Sequence, residues 1–355
     1  MKTMHTKITG TGSYIPSQIE RNEDFANHQF FNDNGTPIES DIHSIIDKFK
    51  KITGIEERRY ASNHLNTSDL AFLSAEKAIK DAQIDPETLN YIIVAHNFGD
   101  VDKNSAQGDT VPSLAARVKH KLKIKNPFCV AYDVLFGCPG WIEGVIQANS
   151  FIRSNMAQKC LIIGAETLSR VIDPHDRDSM IYSDGSGAVI LEKTEKEGGI
   201  LSSVSASYTL EESDFLFFDK TYNNSITDDN KYIKMQGRKI YEFALNRVPS
   251  AMKACLDDVG LHCNDISKIL IHQANEKMDE AIVKRFYKLY DQTVPDNVMP
   301  MIIQTLGNSS VATIPTLYDL LLKEKIKDQH INEGDILLFA SVGAGMNINA
   351  FVYQV

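Results

Sequence analysis

Cys138, His272 and Asn308 have the side chains that thioester chemistry needs, and each sits where a turn could present it. An apolar run from Phe128 to Phe136 reaches Gly137 and then Cys138-Pro139-Gly140, after which Trp141 to Ala148 carries a helical pattern. The thiol therefore stands at a strand-to-helix turn. Unpaired backbone N–H groups and the positive end of the helix dipole favour a thiolate there, the form a nucleophile needs. His272 ends the strand-like stretch Ile266 to Ile271, and Asn308 follows Gly307 just before a helix. A neutral His Nε2–H and an Asn amide can both donate to a carbonyl oxygen as it gains charge. Each residue also has a plainer role. A Cys among apolar neighbours packs as a small hydrophobe, a His at a strand end can be a satisfied core residue, and an Asn after Gly can cap a helix.

An internal duplication joins the three. The segment Asp81, Ile84, Leu89, Ile92-Ile93-Val94 recurs 177 residues later as Asp258, Leu261, Ile266, Ile269-Leu270-Ile271. Phe136-Gly137-Cys138 recurs after 170 residues as Leu306-Gly307-Asn308, and Asp184-Gly185-Ser186-Gly187 after 158 residues as Val342-Gly343-Ala344-Gly345. Three segments in one order, with shrinking offsets, point to two similar α/β halves, 1–195 and 196–355, each a sheet covered by helices. If a pseudo-twofold axis relates the halves, Cys138, His272 and Asn308 meet at one site. The turn Gly343-Ala344-Gly345 then offers the Gly345 N–H, beside that of Cys138, to an oxyanion.

The elements that must position these residues read as follows. A first strand covers Ile8 to Tyr14, a helix Ile42 to Lys51, and a helix capped at Thr67-Ser68-Asp69 runs to Ala82. Tyr91 to Ala95, Lys159 to Gly164 and Ala188 to Leu191 read as buried strands. Residues 30–41 look like a surface insertion and 208–234 like a long functional loop. Hydrophobic content of 43% suits a large core, and no apolar run is long enough for a membrane span. The N-terminal stretch from Met1 to Lys7 lacks a signal-peptide core. Five Cys without CxxC spacing argue for a reducing cytoplasm and against disulfides or a metal site. A net charge of −10 argues against nucleic acid as the main partner.

From about residue 8 to the end, the chain resembles the type III ketoacyl-acyl-carrier-protein synthases of the thiolase superfamily. The motifs are Thr53-Gly54-Ile55-Glu56-Glu57-Arg58-Arg59, Cys138 with Asp133 five residues before it, Asp184-Gly185-Ser186-Gly187, His272-Gln273-Ala274-Asn275 and Gly307-Asn308-Ser309-Ser310. The resemblance implies a five-layer αβαβα thiolase-like fold and a homodimer. It implies an acyl primer on Cys138, then decarboxylation of a malonyl thioester and Claisen condensation, with His272 and Asn308 holding the malonyl thioester oxygen. It implies no tightly bound cofactor, with acyl carrier protein phosphopantetheine or coenzyme A thioesters as substrates. Lys277, Lys284 and Arg285 match residues that dock the acidic carrier protein, with Arg238 and Lys239 at the same entrance.

Departures point to a specialised member, such as a dialkylresorcinol- or flexirubin-type ketosynthase. Arg177 matches one side of the family's adenine clamp, but Lys48 and Ile52 stand where its Trp is expected, which favours carrier protein over coenzyme A. The primer-pocket rim position is Val111, and Pro139 and Trp141 follow the nucleophile. Two alternatives accompany this reading. One is a non-decarboxylative acyltransferase or head-to-head condensing enzyme with Asp100 as base; the other is a non-catalytic subunit, which the intact trio disfavours.

Overall fold

The computed structural model describes residues 4–103, 105, 107–227 and 229–355. Met1–Thr3 of the N-terminal stretch and Asp228 of the loop 208–234 lie outside the described residues. Two sheets carry the architecture. The first has five strands in the order His5–Tyr14, Asp184–Thr194, Lys159–Thr167, Tyr91–Ala95 and Val130–Val134. The second has four, Gly199–Ser207, Asn347–Gln354, Ile336–Gly343 and Ile266–Ile271. Read in these orders, the first two pairings of each sheet are antiparallel and the third is parallel.

Layering follows from which faces are apolar. Ile92, Ile93, Val94 and Ala95 are buried on both sides of their strand, as a parallel strand between two helical layers requires. One core cluster joins Ile93, Ile162 and Val189 of the first sheet to Leu337, Phe339 and Phe351 of the second, through Trp141 and Val145 on one helix and Ile314 and Leu317 on another. Those helices, Gly140–Arg153 and Thr313–Leu322, form the middle layer. Helices Thr67–Ala82 and Leu114–Lys121 cover the outer face of the first sheet. Gly237–Asp257 and Glu276–Lys288 cover that of the second. The result is the five-layer αβαβα thiolase-like arrangement.

Several expected elements shift in detail. The first strand begins at His5, the helix from Ile42 runs on to Thr53, and the strands at 159 and 188 extend to Lys159–Thr167 and Asp184–Thr194. The helix Thr67–Ala82 is capped one residue earlier than expected, by Asn66, whose backbone N–H donates to Asp69 at 2.8 Å. The stretch 208–234 is not an open loop. It holds a hairpin of Leu216–Asp219 paired antiparallel with Tyr232–Met235. Among the described residues, no helix is long and apolar enough to cross a membrane.

Candidate active site

The two middle-layer helices begin beside one another, and the turns before them carry Cys138 and Asn308. Both turns depend on glycine. Gly137 has φ 65°, and a Cβ on it would fall 2.7 Å from the Ala344 nitrogen. Gly307 has φ 62° and ψ −162°, and a Cβ there would meet Arg58 Cβ at 2.8 Å. L-residues avoid that backbone region, so only glycine fits at little cost. Arg58 is fully buried, and its guanidinium donates to Met180 O, Glu20 O and Asn22 Oδ1. The second Arg of the Glu-Glu-Arg-Arg motif, Arg59, donates to Thr305 O. This motif braces the Asn308 turn.

Cys138, His272 and Asn308 line one cavity of about 290 Å³. Cys138 keeps partial exposure, towards that cavity. Burial pushes its thiol up to about 11, against a hydrogen bond from Ser310 that lowers it, and the Glu166 carboxyl raises it further. The resting group is therefore a thiol, and the helix start does not by itself yield a standing thiolate. His272 is 3% exposed, and burial lowers it to about 4, so it is neutral at pH 7. Its Nδ1 lies 2.8 Å from Thr313 Oγ1, and Thr313 Oγ1 lies 2.9 Å from Ser310 O. The Thr313 hydroxyl has one proton. Given to Ser310 O, it leaves His272 protonated on Nδ1 with a bare Nε2. Given to His272 Nδ1, it leaves Nε2–H as a donor, the state expected from sequence. Ser310 O also accepts from the Thr313 N–H, so the second arrangement strands no acceptor.

Asn308 is held by its backbone: its N–H donates to Ile181 O at 3.0 Å and its O accepts from Ser183 N at 2.8 Å. Its Oδ1 accepts from Ser310 N at 2.8 Å, which leaves the amide nitrogen as the available donor. Gly343 and Ala344 line the cavity and Gly345 does not. The expected Gly345 donor is thus displaced by one position: the amide next to the Cys138 turn is that of Ala344, because Gly137 admits it at close range.

The cavity opens outwards. It shares Ile181, Met235, Ile240, Ala274 and Met278 with a second space of about 600 Å³ that Lys48, Ile52, Arg177 and Arg238 line. Of the expected entrance cations, Arg177 and Arg238 are on this channel. Lys277 and Lys284 are exposed on the helix Glu276–Lys288 but do not line it. Lys239 sits 5.3 Å over the Phe215 ring. Arg285 is exposed on the same helix, does not line the channel, and donates to Leu245 O and Asn246 Oδ1, tying two outer helices together. Val111 is 84% exposed and does not line the cavity of its own chain. Asp100 is committed elsewhere: it accepts from Ser68 N, Ser68 Oγ and Arg117, so it is no base for the thiol. Asp133 accepts from Leu114 N and Ala115 N and thereby starts a helix.

The sequence places Ser310 in a motif without a role of its own and assigns none to Thr313, Asn97 or the hairpin. Asn97 follows a buried strand and Ser310 lies two residues past Asn308, so chain position was the available signal. Phe98 and Phe218, with ring centroids 5.3 Å apart, help form the cavity's apolar wall with Leu216 and Ile233.

Comparisons with known proteins agree along the chain. Family models of 3-oxoacyl-[acyl-carrier-protein (ACP)] synthase III and of its C-terminal part match residues 132–209 and 256–355. The beta-ketoacyl-[acyl-carrier-protein] synthase III 1 of Vibrio vulnificus (strain YJ016) is 32% identical, over 96% of this chain and 97% of its own. The crystal structure of 3-oxoacyl-[acyl-carrier-protein] synthase III from Aquifex aeolicus VF5 superposes with a TM-score of 0.80 at 28% identity, over 99% of this chain and 100% of that one. The priming beta-ketosynthase of the R1128 polyketide pathway reaches 0.81 at 22% identity, over 99% of this chain and 96% of that one, a likeness of fold alone.

Proposed function

The chain belongs to the 3-oxoacyl-[acyl-carrier-protein] synthase III family, and we propose from that premise that it loads an acyl primer on Cys138 and condenses it with a malonyl thioester. The observation that carries this reading is one cavity lined by Cys138, His272 and Asn308 at the end of an open channel. The Cys138 thiol gives its proton to solvent, its sulfur attacks the primer thioester carbonyl, and the carbon–sulfur bond to the carrier breaks; the released carrier thiolate takes a proton back from solvent. The Cys138 and Ala344 amides hold the oxyanion. The malonyl thioester then loses carbon dioxide, and its carbon–carbon bonding electrons become an enolate. The Asn308 amide and Nε2–H of His272 stabilise that oxygen, with Thr313 donating to Nδ1. The enolate carbon attacks the acyl group, and the Cys138 thiolate leaves. No Asp or Glu lines the inner cavity among the described residues, which favours decarboxylation over proton abstraction as the route to the enolate.

The partner in this reading is an acidic acyl carrier protein whose phosphopantetheine enters past Arg177 and Arg238. Lys48 and Ile52 on the helix Ile42–Thr53 line the same entrance as Arg177, which supports carrier protein over coenzyme A. The two halves, 1–195 and 196–355, are a duplicated pair in this account; their matching strand order supports it. A homodimer is supported by the edge strand Val130–Val134, flanked by Phe128 at 83% and Leu135 at 66% exposure. In this reading the exposed Val111 is the rim residue that one subunit contributes to its partner's primer pocket. The departures in sequence at Pro139, Trp141, Lys48 and Ile52 are the ground for a specialised role of the dialkylresorcinol or flexirubin kind over housekeeping initiation. The test is a single incubation with acyl and carboxyl-labelled malonyl carrier-protein thioesters. Labelled carbon dioxide and a β-ketoacyl product in equal amounts support the reading. Product without carbon dioxide release removes it.

A further inference from the structure

A serine hydroxyl touches the nucleophile. Ser310 Oγ lies 3.3 Å from Cys138 Sγ and 3.1 Å from Asn97 Nδ2. An amide nitrogen only donates, so Asn97 gives a hydrogen to Ser310 Oγ, and the single Ser310 proton is left for the sulfur. The Asn97 amide is itself fixed in orientation. Glu166 accepts from both its side-chain nitrogen and its backbone N–H. Both amide hydrogens are thereby engaged, and a flipped amide would set its oxygen against the Glu166 carboxyl.

Rigid elements hold this row of contacts. Glu166 is on the central strand Lys159–Thr167 at 1% exposure, and Asn97 lies two residues past the neighbouring strand Tyr91–Ala95. Ser310 has φ 52°, a left-handed conformation that L-residues with a Cβ rarely take. It is kept there by its N–H on Asn308 Oδ1 and by the Thr313 N–H on its O. Strain held by surrounding contacts at a site is a pointer to a task.

We propose that Ser310 is a catalytic hydrogen-bond donor that holds the Cys138 thiolate, and that Asn97 and Glu166 are positioning residues that keep its hydroxyl aimed at the sulfur. The inference rests on the reading of Cys138 as the acyl acceptor. It answers a difficulty in that reading: a sulfur pushed up by burial needs a donor to stabilise its anion, and hydrogen bonds to charged acceptors are the strong ones. The titratable groups around the thiol are Glu166, Tyr182 and His272, which lines the same cavity and is neutral above about pH 4, and Glu166 in turn faces Asp184. Burial raises Glu166 to about 8, so near neutral pH it is largely uncharged while still accepting from Asn97; above that it ionises and pushes the thiol up, which the Ser310 hydroxyl counters.

The experiment is the pH profile of Cys138 alkylation by iodoacetamide, with the labelled peptide identified by mass spectrometry. Ser310→Gly removes the hydroxyl and suits the left-handed backbone. It is expected to move the profile's midpoint up by about 1–2 pH units and to slow alkylation at pH 7.5 at least tenfold, roughly. Asn97→Ala moves it in the same direction by less. Glu166→Gln, which still accepts through its amide oxygen, stays closer to the wild type than Asn97→Ala does. A Ser310→Gly profile superimposable on the wild type overturns the proposal. Should that variant fail to fold, an unshifted Asn97→Ala profile overturns it equally. A wild-type protein whose Cys138 takes neither alkyl nor acyl label instead removes the underlying reading of Cys138.

Discussion

Thr313 Oγ1 lies 2.8 Å from His272 Nδ1, and this contact decides which ring nitrogen of His272 carries the proton. The hydroxyl chooses between His272 Nδ1 and Ser310 O, so a residue outside the Cys–His–Asn trio sets whether Nε2 is a donor or an acceptor.

Thr313→Val keeps the shape and removes the hydroxyl. His272 Nδ1 is then buried without its partner, and the donor tautomer at Nε2 loses its support. Condensation is expected to slow about 10–100-fold, from a lost buried hydrogen bond of about 1.5–3 kcal/mol. Acylation of Cys138 by primer is expected to stay near wild type. Stopped assays of the two half-reactions check this; equal losses in both would show that Thr313 is merely structural.

His272→Ala and Asn308→Ala should separate the same steps from the other side. Each removes a donor to the enolate oxygen, and loss of one such donor costs about 10²–10³ in rate. Release of carbon dioxide from malonyl thioester should fall by that amount while primer still labels Cys138. Loss of labelling in both variants would argue against this division of roles.

Stability should carry the signature of Glu166. Its folded pKa of about 8 lies above its ordinary value of 4.5, so the folded protein binds the extra proton between those limits. Stability from this group is complete below about 4.5 and is lost as pH rises through 8. His272 has the opposite sense: its folded value of about 4 lies below 6.5, so its term favours folding as pH rises from 4 to 6.5. The two offset each other in the lower range, and Glu166 acts alone from about 6.5 to 8. Glu166→Gln should gain on the wild type across that upper window, with a limiting slope of about 1.4 kcal/mol per pH unit. Melting temperatures from pH 6 to 8.5 check it; a constant difference between the two proteins contradicts it.

The exposed edge strand gives a prediction about assembly. Phe128→Asp puts a charge beside the free edge of Val130–Val134, where Phe128 is 83% exposed. Sedimentation should show a dimer for the wild type and a monomer for the variant, with unchanged helix content. A wild-type monomer at micromolar concentration would remove the proposed homodimer.

The wall made by Phe98 and Phe218 should limit the primer. Phe218→Ala opens the cavity on that side and is expected to shift preference to acyl chains longer by about two or more carbons, since each buried CH₂ contributes about 0.8 kcal/mol. Competition between primers of graded length measures it; an unchanged optimum places the chain-length limit elsewhere.

The layers and the turn pair were legible because period and duplication are properties of the chain itself. Tyr91–Ala95 reads as a buried strand from four consecutive buried residues, and Gly137 and Gly307 each mark a left-handed turn ahead of a functional side chain. What stayed hidden depended on distant partners. Asp100 looks like a free carboxylate until Arg117 and Ser68 are seen to claim it. That Arg285 also ties two helices together, through Leu245 and Asn246, could not be read from the chain. Gly345 and Ala344 could not be told apart as donors, because the choice rests on how closely Gly137 approaches. The hairpin Leu216–Asp219 with Tyr232–Met235 was masked by the polar residues of its long connection. Ser310 and Thr313 are common residue types whose chemistry appears only when Cys138 and His272 are set against them.

The most direct test of the whole account is the intact mass of the protein after incubation with a panel of acyl carrier-protein thioesters and no extender. The account predicts a mass gain of one acyl group, mapped to Cys138 and absent from Cys138→Ala. An acyl group on any other residue, or one that persists in Cys138→Ala, contradicts it.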